Sequence, residues 1–124
     1  MSHSITIVGG GLAGLTLGIL LRRANVPVTV FEAMHYPRHR VCGEFISGAG
    51  VRILCALELD LSAAIEAHRA RFFLAEHEAV ELALPEPALC ISRFKLDALL
   101  AVEFQKCGGE LRAGERFSTD VRGE

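Results

Sequence analysis

Residues 5–32 read ITIVGGGLAGLTLGILLRRANVPVTVFE, and the order of residue types in this stretch sets the fold class. Ile5-Thr6-Ile7-Val8 is a short, uncharged, β-rich run, which predicts a central parallel strand buried on both faces. Gly9, Gly11 and Gly14 follow it as G-x-G-x-x-G. At that spacing the first glycine permits a tight turn, and the second keeps a side chain out of the path of a pyrophosphate. The third lets the next helix pack close to the sheet. Gly18, four residues on, is expected to extend that close approach by one turn. The helix start at Leu12 and Ala13 points unpaired N–H groups and a positive dipole end at the phosphates. Residues 28–31 read as a second strand, and Glu32 at its carboxyl end is placed to accept hydrogen bonds from an adenosine ribose. Such a glycine triad arises often by chance. Here the strand before it, the helix after it and the closing acid supply the context the motif requires. An acid at position 32 also argues against a 2′-phosphate on that ribose, and so against NADP in this pocket.

Beyond the acid the periodicity is lost. Residues 33–45, AMHYPRHRVCGEF, read as a connecting loop carrying Arg38 and Arg40. Ser47 is expected to N-cap a helix running to about Leu57, with Val51, Leu54 and Leu57 on its apolar side. Asp60 is set to cap a shorter helix containing Leu61 and Ile65. Residues 69–75 and 79–84 flank Glu76-His77-Glu78 as a β-hairpin. Pro85 and Pro87 are expected to break the chain before a short strand at 88–91. Ser92 opens a helix with Leu96, Leu100 and Phe104 along one face, and Gly108-Gly109 end it. Residues 110–121 offer one or two final strands. The expected architecture is α/β, a Rossmann-type FAD/NAD(P)-binding fold on a parallel central sheet. It is incomplete, carries a small β-hairpin, and makes a single truncated domain over residues 1–124.

Composition narrows the function classes. A chain of 124 residues can bury a sizeable core, and 51% hydrophobic with 23% charged residues marks a globular protein. A net charge of −2 without a basic patch gives no electrostatic case for nucleic acid. The uncharged run 5–21 is shorter than the ~20 apolar residues of a spanning helix and is rich in glycine. Arg22-Arg23 follow it where an export signal would place small residues, so a cytoplasmic location is expected. Cys42, Cys55, Cys90 and Cys107 lie far apart with no C-x-x-C, which predicts reduced thiols rather than a disulfide framework or zinc site. His35 and His39 are four apart, but Pro37 between them argues against a shared helical face for a metal. They read as solvated loop histidines, or at most as neighbours of a phosphate.

Three segments carry a resemblance. The N-terminal unit, YPRHRVCGEFIS at 36–47 and ISRFKLDALL at 91–100 resemble, in this order, the flavoprotein oxidoreductases of the geranylgeranyl reductase and aromatic hydroxylase (flavoprotein monooxygenase) group. The first segment is shared with many NAD proteins, whereas the other two are more particular, and together they span essentially the whole chain. The resemblance, not the spacing, implies FAD as cofactor. It also implies NAD(P)H as electron donor and a small hydrophobic or aromatic substrate that is hydroxylated or reduced at a double bond. Carried onto this sequence, Gly9, Gly11 and Gly14 match the pyrophosphate turn, with Leu12 and Ala13 at the helix start, and Glu32 matches the ribose acid. Arg38 and Arg40 match basic positions that approach the phosphates or ribityl chain. Cys42-Gly43 match a Cys-Gly pair near the flavin, and Arg93 an arginine at the helix start that reaches the cofactor. Plainer roles stand beside these: a solvated loop charge for Arg40, a small buried hydrophobe for Cys42, a surface capping charge for Arg93. No catalytic acid or base and no metal ligand is nominated.

The chain also departs from that pattern. Many reductase-like members have Gly where Glu44 stands, and Pro after the serine where this chain has Gly48. The family's second cofactor motif, containing Gly-Asp, is not among these residues. Three readings follow: the FAD-binding part of an oxidoreductase, either truncated or completed by a second chain, a non-catalytic dinucleotide-binding module or remnant, and an NAD-binding dehydrogenase domain.

Overall fold

The computed structural model describes residues 3–42 and 44–119, without the side chains at 78 and 79. Its elements are β1 (Ile5–Val8), α1 (Leu12–Arg23), β2 (Val28–Glu32), β3 (Phe45–Ile46), α2 (Ala49–Ala56), β4 (Ile65–Leu74), β5 (His77–Cys90), α3 (Arg93–Lys106) and β6 (Glu110–Ala113). The chain divides into two units, one built from residues up to Arg40 and from Arg93 onward, the other from Val41–Ser92.

In the first unit the β-branched runs pair in parallel, Ile5 opposite Val28 and Val8 opposite Phe31, and β6 pairs in parallel on the far side of β2. The sheet order is β1-β2-β6. This is the α/β, Rossmann-like arrangement expected from the opening stretch. The central strand, however, is β2 and not β1: Val28, Val30 and Glu32 are buried, while Val8 on the edge strand is 63% exposed. An apolar run of four residues is compatible with either place, and the choice falls to β6, a partner far along the chain.

Helices α1 and α3 pack on each other and on this sheet, and Leu15, Ile19, Val30, Leu96, Leu100 and Phe104 are fully buried between them. Each such side chain contributes about 1.5–3 kcal/mol. The exposed Arg23–Glu103 ion pair (3.1 Å) that also joins the helices contributes about 0–1 kcal/mol, so the apolar layer holds the unit together. Gly14 gives the close helix–strand approach: a Cβ there would overlap the Gly9 carbonyl oxygen and lie 3.3 Å from Ile7 Cγ2. Gly18 does something different from the expected extension of that approach. A Cβ at Gly18 would stand 2.8 Å from the Phe104 ring, so this glycine makes room for an aromatic from α3 more than for the sheet. The end of α3 follows expectation, with Gly108 at φ +81° and the Gly109 N–H bonded to the Phe104 carbonyl (3.0 Å).

The second unit is an antiparallel sheet of order β3-β5-β4 with α2. Its hairpin was legible, but its details correct several expectations. Helix α2 starts at Ala49 with Gly48 (φ +53°) as N-cap and no side-chain cap. Ser47 contributes its carbonyl to the Gly50 N–H (3.2 Å), not its hydroxyl as a cap. Proline, locked near −65°, cannot take the φ of Gly48, so this start departs from the reductase-like pattern. Asp60 caps no helix. Its carboxylate accepts the Ser62 N–H (3.0 Å) in a turn, and Ile65 begins β4.

Pro85 and Pro87 do not break β5. The register slips between Ala67, opposite Ala88, and Arg69, opposite Ala83, so both prolines fall in a bulge where the ladder needs no N–H from them. The hairpin turns at residues 75–76, with Ala75 at φ +54°, instead of at 76–78. Phe45, expected in a loop, pairs with Cys90, and Ile46 beside it pairs with Leu89. Only one of the final strands forms within residues 110–119, and 120–121 lie outside the described residues. Among the described residues no helix is long and apolar enough to cross a membrane.

Glu44 holds φ +55°, the left-handed conformation that glycine adopts without steric cost. Glu44→Gly is therefore expected to raise the unfolding free energy by about 0.5–1 kcal/mol in urea denaturation. A lower urea midpoint would mean that the glutamate side chain holds this bend.

Candidate dinucleotide site

Strand alternation puts Val28, Val30 and Glu32 on one face of β2, so the last of them carries a carboxylate inward with the core residues. Glu32 is only 4% exposed, and its carboxylate ties the glycine turn to the loop that follows β2. Its Oε2 accepts the Gly10 N–H (2.8 Å) and Arg38 Nη2 (3.0 Å), and its Oε1 accepts the Met34 N–H (2.9 Å). The Gly10 carbonyl accepts from the Tyr36 hydroxyl and from Arg38 Nη2 (3.3 Å). Gly10 is thus held at both its N–H and its C=O, and a Cβ there would overlap the Tyr36 hydroxyl. Burial pushes the Glu32 carboxyl up. The N–H groups of Met34 and Gly10 and the charges of Arg38 and Arg40 outweigh it and leave the group below the usual carboxylate range. Tyr36 is raised, chiefly by burial.

A second buried carboxylate completes the cluster. Asp97, one turn into α3 and fully buried, binds Arg93 through two bonds, Nε–Oδ1 at 2.7 Å and Nη2–Oδ2 at 3.1 Å. Its Oδ2 is also 3.8 Å from Arg40 Nε and 3.9 Å from Arg38 Nη2, while Arg40 Nη2 lies 3.6 Å from Glu32 Oε2. Three guanidinium groups against two carboxylates leave an excess of positive charge. Arg38 is turned inward, its Cζ 4.6 Å over the Tyr36 ring and its Nε and Nη1 buried without a hydrogen-bond partner. The Arg40 side chain is 40% exposed and that of Arg93 13%. A Cβ built at Gly11 would lie 3.5 Å from Arg93 Nη2 and 3.9 Å from Arg40 Cζ. Among the described residues no side chain therefore plugs the turn at Gly11, and the space beside it borders two guanidinium groups.

Gly9 takes φ +105°, with open space where a Cβ would stand, and its N–H bonds the Phe31 carbonyl (2.8 Å). Gly11 is the N-cap of α1 and offers no side-chain cap to the helix start at Leu12 and Ala13. A cleft of about 330 Å³ adjoins the turn, bounded by Gly9, Phe31, Glu32, Arg40, Arg116 and Phe117. The Phe31 and Phe117 rings meet edge to face at 5.1 Å.

Residues 7–55 match the family of NAD(P)-binding Rossmann-like domains. No curated protein matches the sequence. Among solved structures, a tetrameric 2-methyl-3-hydroxypyridine-5-carboxylic acid oxygenase superposes with a TM-score of 0.83 at 19% identity, over 93% of this chain and 32% of that one. The flavin-dependent brominase Bmp2 gives 0.73 at 20% identity over 86% and 28%. A flavoprotein/dehydrogenase from Cytophaga hutchinsonii gives 0.76 at 18% identity over 90% and 30%. These likenesses establish the Rossmann-like fold, and the chain spans about a third of the length of such structures.

Within the Rossmann-like unit the structure brings together Gly9, Gly11, Leu12, Ala13, Gly14, Glu32, Arg38, Arg40 and Arg93. Arg93 is not a surface charge, being gripped by a buried acid. Cys42 belongs to the other unit and is exposed, which rules out the small buried hydrophobe, and Gly43 lies outside the described residues. His35 and His39 are exposed, the latter stacked on Phe94 at 4.7 Å.

Two members of the cluster escaped the sequence reading. Asp97 left a signal, an acid four residues after Arg93 and set between Leu96 and Leu100 on an otherwise apolar face. Tyr36 left none beyond being the sole tyrosine of the chain.

Proposed function

We propose that the chain is the FAD-binding portion of a flavin-dependent oxidoreductase, all 124 residues serving that one role. The observation that carries this reading is the Gly11 position, a glycine turn fixed by a buried acid and opening beside two guanidinium groups. The residues fit the ADP half of the cofactor. Gly9 and Gly11 leave room for a diphosphate, and the N–H groups at Leu12 and Ala13 with the Arg40 and Arg93 forks supply its donors. Glu32, with acceptor capacity left on Oε1, takes the ribose hydroxyls. The 330 Å³ cleft is at the lower end of the ~300–1,000 Å³ of small-molecule sites, a size suited to an adenine.

FAD, when bound, supplies the hydride and oxygen chemistry, and this chain's residues bind and orient it. On the same reading Cys42 and Gly43 attend the flavin end. Electrons come from NAD(P)H, and a second chain or further segment completes the pocket for a small hydrophobic or aromatic substrate. The oxygenase named for a substituted pyridine carboxylate among the structural neighbours supports an aromatic substrate, and hydroxylation and double-bond reduction both remain readings of the reaction. The four free cysteines suit a reducing, cytoplasmic setting.

An NAD-binding dehydrogenase domain is the second reading, favoured by the NAD(P)-binding match over residues 7–55. Fluorescence titration separates the two. The purified chain is expected to quench added FAD at lower concentrations than it binds NADH, and the reverse preference would overturn the assignment of FAD.

A further inference from the structure

Asp97 is the most deeply buried charge among the described residues of the first unit, and nothing in the glycine motif calls for it. A carboxylate this far from water is costly unless its partners are well placed. Its partners are the three arginines of the cluster, two of them the guanidinium groups that border Gly11. The grip on Arg93 uses Nε and Nη2 together, which fixes the plane of the fork and not merely its distance. The Nη2 so held is the atom 3.5 Å from the position a Gly11 Cβ would occupy. Arg40 faces the same carboxylate through Nε at 3.8 Å, leaving its Nη2 toward Gly11 and Glu32.

We propose that Asp97 is a positioning residue for diphosphate recognition, aligning Arg93 and Arg40 beside Gly11 although its own charge repels the ligand. This rests on the nucleotide reading above and adds to it a residue and a direction of effect. Coulomb attraction alone makes the opposite statement: neutralising a carboxylate near a phosphate site raises the local positive charge and tightens anion binding. Positioning predicts weaker binding, because Arg93 loses the paired bonds, and Arg40 the charge 3.8 Å away, that held them in a productive orientation.

The test is calorimetric titration of the chain with ADP and with adenosine, for the parent, Asp97→Asn, Arg93→Met and the double variant. Asp97→Asn is expected to bind ADP at least about tenfold more weakly, the size of one lost charge-assisted interaction, with adenosine binding unchanged. The double variant is expected to be no weaker than Arg93→Met alone, since Asp97 acts largely through that arginine. ADP affinity equal to or tighter than the parent's in Asp97→Asn overturns the proposal, and so does an equal loss for ADP and adenosine, which reports general damage to the fold.

Should Asp97→Asn fail to fold by circular dichroism, Arg93→Lys takes its place, keeping the charge but unable to make the paired bond. The same selective loss of ADP affinity is expected there, and parental affinity refutes the role. A parent that binds neither ligand refutes the nucleotide reading and this inference with it. A parent that binds ADP while its Asp97→Asn variant matches it refutes the role of Asp97 alone.

Discussion

Glu32→Ala is expected to remove about 3–5 kcal/mol of folding stability, the cost of stripping one partner from a buried ion pair. The acid does more than wait for a ribose. It satisfies the N–H groups of Gly10 and Met34 and faces Arg38, which is 5% exposed and already carries two unpaired nitrogens. Without it that guanidinium leans on Asp97 at 3.9 Å, the Gly10 carbonyl and the Tyr36 ring. The pH dependence follows from the lowered carboxyl. Its folded pKa lies below the ordinary 4.5, so its contribution is present in full above that value and is lost as the pH falls through the folded pKa. Urea midpoints measured from pH 6 down to pH 3 are expected to fall more steeply for the parent than for Glu32→Ala. Parallel curves, or a variant as stable as the parent, would show that Arg38 is compensated elsewhere.

Gly11→Val is expected to leave the fold intact and to weaken FAD binding at least about a hundredfold, the loss of roughly two charge-assisted bonds. The contrast with Gly14 is the reason. A Cβ at Gly14 overlaps backbone, whereas one at Gly11 meets the guanidinium ends of Arg93 and Arg40 at ordinary contact distance. A valine there can be accommodated by the protein, but its methyl groups take the space beside the arginines that a diphosphate requires. Unchanged circular dichroism with lost FAD quenching is the expected pair of results. Parental FAD affinity would mean that the cofactor, if bound, sits elsewhere.

What could be read from the sequence was local. The strand, glycine turn, helix and second strand lie within one short stretch, and each residue type there has a single steric or hydrogen-bonding rationale. The apolar face of α3 at Leu96, Leu100 and Phe104 was legible from its period for the same reason. Elements settled by distant partners were not. Whether Ile5–Val8 is central or at an edge depends on β6, and whether two prolines end a strand depends on the register of β4. Asp60 and Ser47 have the chemistry of helix caps, but the hydrogen bonds they make are those of turns. The candidate site divides the same way. Its glycines and Glu32 were nameable one by one, whereas the placing of the Arg93–Asp97 pair beside Gly11 and the Tyr36 bond to Gly10 emerge only when α3 and the loop after β2 meet the turn.

The double hold on Gly10 has a thermodynamic consequence. Glu32, Tyr36 and Arg38 already fix the shape of the nucleotide-facing loop through the protein's own bonds, so little conformational freedom remains to be surrendered when a ligand arrives. Preorganisation of this kind predicts association close to lock-and-key: a modest entropic penalty, with amide exchange at the loop already slow in the free chain and changed little by the nucleotide.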